Sequence, residues 1–186
     1  MITVFDVETS FQLINKKVDP LPFHKDNCLV SVGINDEYYF FNHNNHDFDV
    51  AKNHKAVQAI LDKTTLLVGH NVKFDLVWIL ESGFKYEGRL YDTMIGEYVL
   101  LRGLRKPLSL KDICRRRSIA LKSDAVDEYM KQKISFEDIP IDTIETYGRQ
   151  DVVSTRALFN SQMADFKKSD NRVLLKSVKM MNEFLP

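Results

Sequence analysis

Cysteine is scarce in this 186-residue chain, where Cys28 and Cys114 are the only two. They form no metal-ligand or disulfide pattern, which excludes a disulfide-stapled scaffold and suits a reducing compartment. Net charge is also missing: 26 Lys and Arg offset 26 Asp and Glu. A protein that grips nucleic acid tightly by itself is usually basic. Zero net charge therefore argues against a stand-alone, high-affinity binder, but not against brief handling of a strand end in a local groove. No apolar run approaches membrane-spanning length, and no basic-then-apolar signal opens the chain. No Gly-rich phosphate loop, Ser-His-Asp arrangement, internal repeat or low-complexity linker is evident. These absences leave a soluble cytoplasmic protein with no membrane partner.

What is present is enough apolar residue, 44% of the chain, to bury a core for one domain, or one domain plus a tail. Residues 2–7 read as a first strand. Residues 10–27 are polar and irregular, broken by Pro20 and Pro22. Cys28 to Ile34 and Glu37 to Phe41 follow as strands, with Asn35-Asp36 as the hairpin turn between them. His54 to Lys63 reads as an amphipathic helix, Leu66 to Val68 as a short buried strand. Asn71 is placed to cap the next helix. A strand at Leu90-Tyr91 leads to a helix from Asp92-Thr93 to about Arg102. Further helices begin at Ser109, near Val126 and at Ile141, the last running to about Asp165, and Val173 to Phe184 closes the chain. The pattern predicts an α/β fold: a mixed β-sheet, its first three strands antiparallel, with helices on both faces. The first strand is central, and ligands gather at its C-terminal end.

That end carries Asp6 and Glu8. In a strand, residues i and i+2 share a face, so the two carboxylates sit side by side. Such a pair resists full ionisation unless a cation lies between them. The pair reads either as the base of a divalent-metal site or as a strand end emerging into solvent. Asp75 falls in the first turn of a helix, near the positive end of its dipole. Tyr147 and Asp151 are four apart and share a helix face. Each has an ordinary alternative, a helix-start acid for Asp75 and a solvent-facing Asp with a half-buried Tyr for the pair. Together they offer four carboxylates from three segments, hard oxygen donors that suit two Mg²⁺ or Mn²⁺ ions. His43 and His46 have metal-like spacing but no further ligands nearby, and read as a solvated loop. Arg102, Arg105, Lys106 and Arg115 to Arg117 form a basic cluster that fits phosphate contact or a solvated face equally well.

FDVET at 5–9, HNVKFD at 70–75 and YGRQD at 147–151 occur in that order. In this the chain resembles the 3′–5′ exonucleases of the ribonuclease H-like superfamily with an Asp-Glu-Asp-Asp metal site. The tyrosine branch is indicated, since Thr146 stands where the other branch has His. Tyr91 to Met94, Leu108 to Leu110 and Ile134 to Ile139 resemble the proofreading domain of family A, phage-like DNA polymerases. The resemblance implies Asp6, Glu8, Asp75 and Asp151 as ligands of two Mg²⁺ or Mn²⁺ ions, and Tyr147 as the residue positioning the nucleophilic water. It further implies that Asn71 and Phe74 support the site, that Thr9 contacts the terminal nucleotide, and that Phe136 stacks near the terminal bases. Gln12 stands where the family often has an apolar wedge, with Phe11 beside it.

The expected activity is two-metal hydrolysis releasing nucleoside 5′-monophosphates from single-stranded or frayed DNA 3′ ends, as proofreading for a DNA polymerase. The alternatives are an RNA-trimming exonuclease, or an inactive domain that binds strand ends or scaffolds. Residues 1–170 would form the exonuclease domain and 171–186 a helix leading toward a polymerase domain. That domain would lie in the same or a separate chain, within a host cytoplasm if the source is a phage.

Overall fold

A computed structural model describes residues 1–120 and 126–183. Seven strands and seven α-helices are seen among them, with short 3-10 helices at Phe136–Asp138 and Ser169–Asn171. In chain order these are β1 (Ile2–Thr9), β2 (Gln12–Ile14), β3 (Lys17–Asp19), β4 (Leu29–Ile34), β5 (Glu37–Phe40), α1 (Val50–Leu61), β6 (Leu66–Gly69), α2 (Val72–Glu81), β7 (Arg89–Asp92), α3 (Thr93–Leu100), α4 (Leu110–Arg116), α5 (Asp127–Lys131), α6 (Ile141–Phe166) and α7 (Leu174–Asn182). The predicted end of the last helix, at Phe184, lies outside the described residues. Among the described residues no helix is long and apolar enough to cross a membrane.

Five strands form one sheet in the order β5-β4-β1-β6-β7, with β1 in the centre as expected. β1, β4 and β5 pair antiparallel, whereas β6 and β7 run parallel to β1. The alternation of β1 sorts the core onto two faces. Phe5 and Val7 pack with Val57 and Leu61 of α1 and Val72, Trp78 and Ile79 of α2. Val4 points the other way, into a cluster with Val152, Phe159 and Phe166 of α6 and Val178 of α7. The predicted mixed sheet with helices on both faces is therefore present.

One expectation fails. Residues 10–27 are not wholly irregular, because β2 and β3 form a small antiparallel hairpin in which Leu13 faces Val18. Its turn residues, Asn15 and Lys16, both have positive φ (51° and 66°). Two-residue hairpin turns demand that backbone and normally announce it with glycine. A lysine there hides the hairpin from a sequence reading.

Candidate active site

Two glycines bring α6 close to the sheet. A side chain at Gly33 of β4 would meet Val152 Cγ2 at 2.9 Å, and one at Gly148 would collide with the Tyr38 hydroxyl. The register sets Asp6 opposite Gly33 and Glu8 opposite Ser31, on the β1 face that Val4 begins and α6 covers. A bulge between Glu8 and Thr9 ends the regular ladder there. Asp6 and Glu8 thus meet the helix where Val152 seats it, beside the adjacent Asp151. Asp6, Glu8 and Asp151 each present an oxygen within 4.8 Å of the other two.

Asp75 arrives from the opposite face. The β1–β6 ladder ends at Val4 and Val68, so β1 outruns its neighbour. Asp75, in the first turn of α2, reaches into that notch and accepts the Val7 N–H at 3.2 Å. Burial, and next the Asp6 charge, push its carboxyl well above the ordinary range. Asp75 is not one of the three whose oxygens converge within 4.8 Å, but Asp6 is the neighbouring charge that acts most strongly on its carboxyl.

Tyr147 lies one turn before Asp151 on α6 and is half-buried. Burial raises its phenol far above 10, and the charges of Glu8, Asp151 and Asp6 raise it further. It is therefore a neutral phenol at any working pH, able to orient a water but not to act as its base. Tyr147, Asp151, Ser154, Lys111 and Ser109 line a cleft of about 230 Å³.

The donor set fits a hard divalent cation. Two oxygens on one Mg²⁺ lie at most about 4.2 Å apart, so a 4.8 Å cluster closes onto an ion with sub-ångström side-chain movement.

A family model described as 3′–5′ exonuclease matches residues 16–164. The chain belongs to that family. It is a tyrosine-type member of the Asp-Glu-Asp-Asp exonucleases in the ribonuclease H-like superfamily, and nuclease activity is the family's chemistry. The match begins after Asp6 and Glu8, whose carboxylates the fold brings to within 4.8 Å of that of Asp151. No curated protein matches the chain in sequence. Among solved structures, Brucella melitensis NrnC with bound Mg²⁺ is similar at a TM-score of 0.67 and 18% identity, covering 100% of this chain and 81% of that one. The same protein bound to pGG gives 0.66 and 19%, with the same coverage. Trypanosoma brucei RNase D gives 0.57 and 16%, over 86% of this chain and 56% of that one. The family B DNA polymerase of Pyrobaculum calidifontis gives 0.54 and 17%, over 87% of this chain and 24% of that one. At such identities the likeness is one of fold.

The other expected site residues of this exonuclease differ in exposure. Thr9 and Phe11 are buried; Phe74 is half-buried against the α1–α2 core; Gln12 is half-buried at the start of β2. Phe11 and Gln12 were the two candidates for the wedge, and of these Gln12 keeps the more open side chain. Asn71 occupies the N-cap position of α2 in a left-handed conformation (φ 60°), yet its side chain makes no capping bond. Asp92 does that work, accepting the N–H groups of Asn71 and Val72 at 3.0 and 3.1 Å and that of Met94, at the start of α3, at 2.8 Å. One buried carboxylate thus fixes the entry to two helices, and burial raises its pKa despite these bonds.

Phe136 departs from expectation. It is 7% exposed, clustered with Val126, Ile139 and Ile144, and its ring centroid lies 5.9 Å from that of Tyr147. It backs the phenol and offers no open stacking platform. The basic cluster is partly structural: Arg102 bonds the Asp170 carbonyl and Asn171, and Arg116 and Arg117 pair with Glu97. His43 is tied to the Ile139 carbonyl at 2.9 Å. Neither Asp92, which fixes the entry to two helices, nor Lys111 in the cleft wall is among the expected site residues. The adjacency of Asp92 to a predicted helix start was its available signal.

Proposed function

We propose that this exonuclease releases nucleoside 5′-monophosphates from DNA 3′ ends, and that it proofreads for a DNA polymerase. The convergence of Asp6, Glu8 and Asp151 within 4.8 Å, beside a half-buried neutral tyrosine, carries this reading. Asp6, Glu8 and Asp151 would hold two Mg²⁺ or Mn²⁺ ions with help from Asp75. Such ions supply an activated water and offset charge on the attacking and leaving oxygens of a phosphodiester. Asp75 braces β1 through the Val7 N–H and so fixes where Asp6 stands. Tyr147, backed by Phe136, keeps its proton and orients the attacking water by hydrogen bonding.

The cleft beside Asp151, about 230 Å³ and lined by Tyr147, Asp151 and Ser154 and not by Asp6 or Glu8, would take part of a terminal nucleotide and not a paired end. Entry of a duplex terminus therefore requires unpairing, which costs a few kcal/mol and least at a mismatch. That difference is the proofreading discrimination. RNA is the second reading, favoured by the fold's likeness to a protein named RNase D.

End-labelled single-stranded, matched and 3′-mismatched DNA, with RNA counterparts, tests both readings. A one-nucleotide ladder, fastest on single-stranded and mismatched DNA, is expected. Internal cuts, or equal rates on matched and mismatched ends, overturn the proofreading assignment. Faster digestion of RNA than DNA selects the second reading.

A further inference from the structure

The β2–β3 hairpin and the residues after it expose apolar side chains along one short segment. Leu13 and Val18, a cross-strand pair, are 50% and 43% exposed; Leu21 is 47% and Phe23 70% exposed. An isolated two-stranded hairpin is marginally stable in water, yet this one is tied down on both sides. On one side the Phe11 N–H reaches Ser135 Oγ at 3.0 Å, and Lys133 Nζ reaches the Lys16 carbonyl at 3.0 Å. On the other, Trp78 Nε1 donates to the Pro20 carbonyl at 2.9 Å, and Asn27 Nδ2 to the Asp19 and Leu21 carbonyls at 2.9 and 2.8 Å. The apolar side chains are thus held outward by a fixed backbone.

The segment adjoins the acidic cluster. It leaves β1 just after Thr9, and its anchor at Ser135 precedes Phe136, which backs Tyr147. Its exposed cations are Lys16, Lys17 and Lys25, while the Asp19 carboxylate accepts the Leu21 N–H within the segment. Apolar and aromatic side chains interleaved with lysines suit unpaired bases and their phosphates.

We propose that this segment is a second contact surface for single-stranded nucleic acid, holding the nucleotides upstream of the one in the acidic cleft. This rests on the exonuclease reading. Phe23 and Leu21 lie against base faces, and Lys16 and Lys17 meet phosphates. The cleft does chemistry on the terminal nucleotide, and the hairpin rewards strands long enough to reach it.

Phe23→Ser and the double variant Lys16→Gln/Lys17→Gln test this on a dinucleotide and on a strand of about eight nucleotides. For the longer strand, KM should rise about 10-fold in Phe23→Ser with kcat unchanged. The dinucleotide should be cleaved as by the wild type. The lysine variant should flatten the salt dependence of strand binding by about 0.7 for each phosphate that is no longer neutralised. Anisotropy of a labelled strand, measured without divalent ions, reads the same surface independently of catalysis. If the wild type cleaves nothing but Phe23→Ser still loses strand binding, the exonuclease reading falls and this surface stands. Unchanged binding of the long strand by both variants overturns the proposal. So does an equal loss on the dinucleotide, or a wild-type dimer that Phe23→Ser converts to monomer, which would make the patch a self-association surface.

Discussion

Two acidic regions lie along α6, at Asp151 and about three turns later at Gln162, and they are built in opposite ways. On one side Glu97 of α3 is buried, but the chain surrounds it with donors. Arg117 Nε lies 2.7 Å from it, Arg116 3.4 Å and Gln162 Nε2 3.3 Å. The same Arg117 reaches Asp165 at 2.8 Å, and hydrogen bonds from Lys168 and Arg117 hold the Asp165 carboxyl below its ordinary range. On the other side Asp6, Glu8 and Asp151 converge, and the strongest charges felt by Asp75 and Tyr147 are other carboxylates. The first region is neutralised from within and serves the scaffold. The second concentrates like charge, which makes sense when the compensating cation comes from solution. Burial alone does not distinguish the two; the sign of the neighbours does.

Breaking the second region should cost activity and spare the fold. Asp6→Ala or Asp151→Ala is expected to reduce Mg²⁺-dependent cleavage to background, while the melting temperature stays level or rises because a repelling charge is gone. Cleavage of an end-labelled strand, read beside a thermal melt, measures both. Wild-type rate in Asp6→Ala would sink the metal-site assignment.

Breaking the first region should do the reverse. Arg117→Met leaves the Glu97 carboxylate buried without its nearest guanidinium, a change that typically costs about 3–5 kcal/mol. Urea unfolding should show that loss, while kcat per folded molecule remains near wild type. A variant of full stability and lowered kcat would mean that the network serves the chemistry.

Tyr147→Phe sharpens the contrast inside the acidic region. It removes one hydroxyl and no charge, because the phenol is neutral there. The rate should fall on the order of 10²-fold, and Mn²⁺ affinity, followed by titration calorimetry, should be retained. Unchanged kinetics would leave the tyrosine a packing residue.

How much of this was legible depends on the range of the interaction. The i,i+2 pairing of Asp6 with Glu8 and the i,i+4 pairing of Tyr147 with Asp151 are local, and the periodicity of one element reveals them. Helix positions largely followed from apolar spacing for the same reason: α6 runs Ile141–Phe166, one residue beyond the expected end, whereas α1, capped by Asp49, begins at Val50, four residues before the expected His54. What stayed hidden joins distant segments. The partners of Arg117 lie 20 and 48 residues away, so it read as part of a surface cluster. Asp92 caps a helix that begins 20 residues earlier. Phe136 could be named as an aromatic near the site, but whether it faced a base or the core depended on Val126, Ile139 and Ile144 closing around it. The hairpin was masked by a lysine in a glycine's conformation.

The smallest effect concerns the joint between the two regions. His70 follows β6; its Nε2–H donates to the Leu108 carbonyl at 3.0 Å, and its Nδ1 meets the Thr93 hydroxyl at 2.9 Å. A carbonyl can only accept, so this fixes the tautomer. The ring ties the HNVKFD segment to the start of α3 and to the loop before α4. Burial lowers its pKa from 6.5 to about 4, against smaller opposing effects from the Leu108 bond and the Glu97 charge. The folded chain therefore refuses a proton that the unfolded chain accepts below pH 6.5, and stability is lost as the pH falls from there toward 4. By about pH 5 the loss from this residue is about 2 kcal/mol. Asp75 and Asp92 act in the opposite sense, since their raised pKa values favour the folded state as acid is added. The wild-type profile alone would therefore mix the signs. His70→Gln keeps a donor for Leu108 and removes the titration. Urea unfolding at neutral pH and at about pH 5 should show the wild type losing about 2 kcal/mol more than the variant between the two conditions. Equal losses would mean that His70 is protonated in the folded protein, with Glu97 as the charge that holds the proton there.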